Sequence, residues 1–191
     1  MAEAVAERGY ANAAVADVIA GAGVSRRTFY ELFPNKERCF LASYDRGVGM
    51  VLDAIAAAVD AAPNPYAAAA LGTQAYLGVL AAHPALARAF FVEVLAAGQR
   101  AAARRDGVLE RFTDNLVSIY ADAAGALAVL PPAPPRYVFQ AAVDAVNELV
   151  TRELVRSGPA ALPALADQVL DIQMRLLVGH ELATQLRASL G

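Results

Sequence analysis

The sequence predicts an all-α chain. Apolar residues recur at helical spacing, alanine supplies much of the 58% hydrophobic content, and no segment alternates apolar and polar residues as a half-buried strand would. At 191 residues the chain is long enough for a substantial core, undivided or split between a small and a larger unit. Proline and glycine clusters at Pro63-Asn64-Pro65, His83-Pro84, Pro131-Pro132-Ala133-Pro134-Pro135 and Ser157-Gly158-Pro159 mark the breaks between helices.

Residues 1–8 read as a helix that ends at Gly9, with Val5 as its main apolar anchor. A second helix is expected over 13–21, because Val15, Val18 and Ile19 form an i, i+3, i+4 stripe, and Asn12 is positioned to cap it. Gly23 stands where a chain leaving a helix needs positive φ. Ser25 then caps a third helix, which must be brief because Pro34 disfavours helical geometry at Phe33. A fourth starts after Asn35, with Glu37 complementing the positive end of its dipole, and runs to about Ala62. Further helices are expected over Tyr66–Ala82, Ala85–Phe91, from there to about Leu127, over 136–157 and over 161–189. On the last two, Phe139, Val143, Val146, Val150 and Leu154 make one apolar face, and Leu165, Val169, Ile172, Leu176 and Ala183 another; Gly179 permits close approach.

A glycine turn followed by a short helix presenting Arg26, Arg27, Thr28 and Tyr30 suits the second helix of a helix-turn-helix, which lies in the DNA major groove. The joint pattern is specific: Gly9-Tyr10, then Asp17-Val18-Ile19, Ala22-Gly23-Val24-Ser25, Thr28-Phe29-Tyr30 and Phe33-Pro34-x-Lys36-Glu37. Over residues 9–41 this resembles the DNA-binding module of the tetracycline-repressor (TetR) family. The resemblance implies an N-terminal three-helix DNA-binding domain, placed at 1–45, and a larger helical domain for ligand binding and dimerisation, placed at 46–191. It departs from the family in a shorter first helix and in Ala13-Ala14, where relatives carry threonines that touch phosphate.

The DNA-binding candidates are Ser25, Arg26, Arg27, Thr28, Tyr30 and Lys36. Arg26 and Arg27 open the reading helix, so either can pair bidentately with guanine or hold phosphate. Thr28 can meet a thymine methyl or a backbone oxygen. Tyr30 and Lys36 match family positions that hold the DNA backbone, Lys36 beside a helix start. Phe29 and Phe33 belong to packing between helices. The charge balance agrees with a local reader rather than an indiscriminate coat: the net charge is −3, yet Arg26, Arg27, Lys36 and Arg38 outnumber Glu31 and Glu37.

Mean hydropathy is +0.40. No run of about 18 strongly apolar residues is present, so no membrane span is expected, and the start does not resemble a secretory signal. The single cysteine, Cys39, excludes an intrachain disulfide framework and fits a reducing cytoplasm.

Beyond residue 45 the residues carry no motif. Tyr76, Phe90, Phe91, Glu93, Asn115, Tyr120, Phe139 and Asn147 bring aromatic, amide and acidic groups into the middle helices and are the ligand-pocket candidates; Gln140 adds an amide. Glu93, within Phe90-Phe91-Val92-Glu93-Val94-Leu95, is expected on an exposed helix face; buried, it would pair with a cationic ligand. With so few charges in the region, the expected effector is apolar or weakly polar. The two C-terminal helices, with continuous apolar faces, are expected to build a homodimer through a four-helix bundle. Such a dimer would set two reading heads about 34–36 Å apart.

Catalysis finds little support. His83 and His180 lack neighbours at metal-ligand spacing, His180-Glu181 lacks a second histidine, and neither a phosphate-binding glycine loop nor a Gly-x-Ser-x-Gly turn occurs. No cofactor and no metal is expected. The sequence reads as a ligand-responsive regulator, a repressor in the first instance, acting as a cytoplasmic homodimer on a palindromic operator. A helical ligand-binding or scaffolding protein that has lost DNA binding fits the same residues, as do an activator and an enzyme on a helical scaffold.

Overall fold

A positive-φ glycine and two polar N-caps, Gly23, Ser25 and Asn35, set the turns between the N-terminal helices. In the computed structural model, which describes residues 1–190, α1 (Ala2–Asn12) breaks within its length at Gly9 (φ 74°, ψ 156°). Next, α2 (Val15–Ala22) is two residues shorter at its start than the 13–21 expectation. Asn12 does not cap it; the Asn12 amide donates to the Arg8 carbonyl at 3.1 Å. The reach-back comes from Asp17, whose carboxylate accepts the Ala14 N–H at 2.8 Å. Gly23 (φ 64°, ψ 28°) ends α2 in the left-handed region, and the Val24 N–H returns to the Ile19 carbonyl at 3.3 Å. Ser25 Oγ accepts the Thr28 N–H at 3.0 Å to start α3 (Arg26–Leu32), and Phe33 is extended ahead of Pro34. Asn35 Oδ1 accepts the Arg38 N–H at 2.9 Å, opening α4 (Lys36–Asp60).

Two buried clusters meet in this region. Val18, Phe29 and Cys39 form the small one, with Val15, Ile19 and Phe33 against it. Val5, Ala13 and Phe40 instead join the main core, which also holds Tyr44, Val48, Leu77, Phe90, Val150 and Leu162. Helix α4 passes residue 45 without a break, so one rigid element carries both the turn at Asn35 and the wall of the larger core.

Asn64 caps α5 (Pro65–Ala82) through the Ala67 N–H at 2.8 Å, and α6 (Pro84–Arg88) follows the turn at His83. The expectation of regular helix through Phe91 is corrected here: Ala89–Glu93 is a π turn and Leu95–Ala97 a 3-10 turn, closed by Gly98 (φ 95°). Arg88 and Glu93, five residues apart, stack across the wider turn and pair at 3.2 Å. Beyond it lie α7 (Gln99–Ala126) and, across the proline linker, α8 (Arg136–Ser157).

The expected helix over 161–189 is also divided. Pro159–Leu165 is a 3-10 turn containing Pro163, which has no N–H for a ladder; α9 (Ala166–Val178) follows, and Gly179 (φ 84°, ψ 163°) separates it from α10 (His180–Leu190). That glycine breaks the helix rather than easing an approach. The break lets α10 fold back, burying Leu186 with Tyr66 and Leu170. The apolar faces assigned to a partner are largely used inside the chain: Phe139, Val146, Val150, Leu154, Leu165, Val169 and Ala183 are all buried. No strand occurs among the described residues, and no single helix there is long and apolar enough to cross a membrane.

Candidate functional site

Phe29, the buried residue of α3, turns the rest of that helix outward. Ser25, Arg26, Arg27 and Tyr30 are exposed and Thr28 is half-buried, so five of the six DNA-binding candidates share one short stretch. Their side chains are partly pre-ordered. The Ser25 and Thr28 hydroxyls are 2.9 Å apart, Arg27 Nε donates to Glu31 at 2.8 Å, and the Arg26 guanidinium lies 5.7 Å from the Tyr30 ring centroid. Exposed contacts of this kind contribute little to stability and are exchangeable for a ligand's. Lys36 is different. Its Nζ donates to the Tyr10 carbonyl at 2.7 Å and lies 4.4 Å from the Tyr10 ring centroid, so it joins the start of α4 to the end of α1.

Beneath this three-helix unit, Glu93 is the residue whose placement sequence reasoning missed. It is only 7% exposed, not on an open helix face. The break at Gly9 leaves the Tyr10 N–H without a helical acceptor, and Glu93 Oε2 accepts it at 2.8 Å while Oε1 pairs with Arg88. A π turn of the core thereby holds the kink of the N-terminal helix. The signal was a glycine in α1 matched to a carboxylate 83 residues after Tyr10, which no local pattern reports.

The main cavity, about 130 Å³ and partly open to solvent, lies between α4, α5, the π turn, α7, α8 and α9. Of the eight pocket candidates, Tyr76, Phe90, Phe91, Asn115 and Asn147 line it. Glu93 does not, because its carboxylate is committed to α1 and Arg88. Tyr120 and Phe139 pack edge to face at 5.5 Å against Leu177, away from this cavity; Tyr120 lines a smaller neighbouring one, and its hydroxyl donates to the Pro131 carbonyl at 2.9 Å.

The wall is mostly apolar, and its polar groups include several not anticipated: Tyr44, Thr73, Arg105 and Gln173. Thr73 is engaged, donating to the Ala69 carbonyl at 2.8 Å. Burial pushes the Tyr44 phenol up to about 12, with Arg105 pulling the other way, and burial likewise raises Tyr76. Arg105 was legible in principle: 105, 108, 109, 112, 115, 116 and 119 form one continuous helical stripe, and all seven line the cavity. Its place in Arg104-Arg105-Asp106 gave it the look of a solvated face. Among the described residues no group of three or more His, Cys, Asp or Glu is arranged to hold a metal.

The family described as "Bacterial regulatory proteins, tetR family" matches residues 2–43. A curated relative, the HTH-type transcriptional regulator EthR of Mycolicibacterium smegmatis, is 36% identical over 81 residues, covering 42% of this chain. The matched stretch spans 37% of that protein's length. Among solved structures, FadR from Bacillus subtilis in complex with stearoyl-CoA has a TM-score of 0.79 at 21% identity, over 94% of this chain and 95% of that one. The fatty acid degradation regulator FadR from Bacillus halodurans gives 0.77 at 23%, over 92% and 93%. PfmR from Thermus thermophilus, a TetR family transcriptional regulator, gives 0.67 at 18%, over 94% and 92%. At such identities these structures speak for the fold. Residues 2–43 are thus similar to the DNA-binding module of the tetR family, and the whole chain shares the all-helical fold of these solved regulators.

Proposed function

We propose that the protein is a homodimeric, ligand-responsive repressor that acts in the cytoplasm on a palindromic operator. Residues 1–45 would read DNA and 46–191 would bind effector and partner. The observation that carries this reading is α3 itself: Phe29 anchors it after the Gly23 turn, and Ser25, Arg26, Arg27, Thr28 and Tyr30 are left on its accessible side. Arg26 and Arg27 contact base edges or phosphates; Thr28 and Tyr30 hold the backbone. Lys36 supports the module through Tyr10 and adds positive charge at the start of α4.

The effector has an apolar body and occupies the main cavity, a reading supported by the wall chemistry and by the FadR neighbour that holds stearoyl-CoA. Tyr137 and Val155 of α8 and Leu176 of α9 are exposed and apolar, which supports an interface through this end of the molecule. Phe90 supplies the link to the head. It lines the cavity, packs on Tyr44 with centroids 4.6 Å apart, and sits in the π turn that also carries Glu93. Filling the cavity displaces Phe90, and Glu93 passes that displacement to α1, favouring a head geometry that no longer fits the operator.

The test is fluorescence anisotropy with DNA from the gene's own upstream region and a scrambled duplex, over several salt concentrations. Preference for the upstream DNA, a steep loss with salt, and failure of Tyr30→Ala establish the regulator. Equal, salt-insensitive or absent binding to both duplexes refutes it.

A further inference from the structure

We propose that the main cavity recognises a carboxylate-bearing amphiphile, its anionic head held by Arg105, Tyr44 and Tyr76 and its apolar body lying along the rest of the wall. This rests on the cavity being the effector site.

Arg105 is unlike Arg100 and Arg104 of the same helix. Arg104 is paired with Asp45 at 2.8 Å and Arg100 with Glu37 at 3.1 Å. The nearest carboxylate to Arg105 is that of Asp106, its neighbour in sequence, at 3.7 Å; that side chain is 75% exposed, against 24% for Arg105. A half-buried guanidinium at the wall of an apolar cavity, paired only loosely with a solvated carboxylate, has donors left to offer a ligand. Tyr44 and Tyr76 lie on the opposing helices α4 and α5 and line the same cavity. Neither hydroxyl makes a hydrogen bond to another group among the described residues, whereas Tyr120 outside this cavity does. After burial, Arg105 is the foremost influence on Tyr44, ahead of the opposing Asp45 and Asp106, and Tyr44 in turn acts on Tyr76.

The donor set fixes the class of head. One guanidinium fork and two phenol O–H groups offer several donors and a single positive charge, which matches a monoanion. A phosphate dianion would leave a charge uncompensated in an apolar enclosure. Asp45, next to Tyr44, opposes an anion: one of its oxygens is engaged by Arg104, and the other is buried without a hydrogen-bond partner. The remaining wall, with Val51, Ile55, Leu116, Ile119 and Val169, is mostly apolar; Asn115, Asn147 and Gln173 add amides but no second cation. From Arg105 to Ile119 the cavity follows about 21 Å of α7, enough for an extended alkyl chain.

Isothermal titration of the delipidated full-length chain with dodecanoate, dodecanol and dodecanoyl-CoA tests this. Dodecanoate is expected to bind about tenfold or more tighter than dodecanol, as charge-assisted hydrogen bonds require. Arg105→Gln should abolish that preference while leaving dodecanol affinity unchanged, and Tyr44→Phe, which keeps the packing, should narrow it several-fold. Equal affinity for acid and alcohol overturns the proposal while sparing the cavity as an effector site. So does an Arg105→Gln variant that weakens both ligands alike, or dodecanoyl-CoA outcompeting dodecanoate irrespective of Arg105. Binding of none of the three overturns the effector reading along with it.

Discussion

Replacing Glu93 isolates the joint between the N-terminal helix and the core. In Glu93→Ala the Tyr10 N–H, at the Gly9 break, loses the carboxylate that accepts it at 2.8 Å, and Arg88 loses its pair at 3.2 Å. A hydrogen bond to a charged group is worth roughly 1.5–3 kcal/mol, and the half-exposed Arg88 pair adds about 0.2–1 kcal/mol. The expected loss is therefore about 2–4 kcal/mol of unfolding free energy. Glu93→Gln keeps an acceptor oxygen for Tyr10 and is relieved of a buried charge, so its loss should stay near or below about 1 kcal/mol. Urea unfolding followed by circular dichroism measures both, and hydrogen exchange at residues 9–13 should quicken in Glu93→Ala alone. An alanine variant within about 0.5 kcal/mol of the parent refutes the reasoning. So does a glutamine variant as damaged as the alanine one, since the ion pair with Arg88 would then outweigh the backbone bond.

Two further perturbations probe the same chain elsewhere. A methyl group at Gly47 would lie 2.0 Å from Leu86 Cδ1 and 2.7 Å from Phe90 Cζ, so Gly47→Ala should cost about 1–3 kcal/mol. A double-mutant cycle with Leu86→Ala should recover part of it, and simple additivity would exclude the clash. At the other end, Arg175 donates to Asp171 at 2.6 Å and, with Arg187 also near, holds the Asp171 carboxyl below the ordinary aspartate range. A folded-state value lower than the unfolded one stabilises above the unfolded value and is lost as pH falls through the folded one. Thermal midpoints should therefore drop on acidification below about pH 4, less steeply in Asp171→Asn; identical acid slopes would contradict this.

The features legible in the sequence are those decided within a few residues. Gly23, Ser25, Pro34 and Asn35 each act on their own turn, and each does in the structure what its chemistry dictates. Placement across the fold is another matter. Tyr76 and Phe139 are both aromatic residues on long helices, yet one lines the cavity and the other packs against Tyr120, because the choice depends on which helix arrives opposite. Glu93 reads as surface until Gly9 breaks α1 beside it. Gly179 is ambiguous for the same reason: helices tolerate a glycine or end at one, and the apolar contacts of Leu186 decide.

The geometry of α4 explains why the proposed regulator needs no long chain of couplings. Its cap at Asn35 belongs to the reading module, and Tyr44, Val51, Ile55 and Val59 of the same helix line the cavity. A helix this long moves nearly as a unit, so what matters is which contacts stop it from moving. The Arg100–Glu37 and Arg104–Asp45 pairs to α7 are solvent-accessible and weak as restraints. The packing of Leu86 and Phe90 onto Gly47 is not: at that position α4 has no side chain of its own to cushion a shift. A ligand that moves Phe90 therefore acts on α4 directly and on α1 through Glu93, reaching two of the helices that hold the head from a single turn. Control of DNA affinity should accordingly be weakened in Glu93→Ala at unchanged effector affinity, because that variant cuts the path to α1 without altering the wall. Anisotropy titrations with and without effector measure it, and an alanine variant that releases DNA on effector binding as fully as the parent would place the coupling in α4 alone.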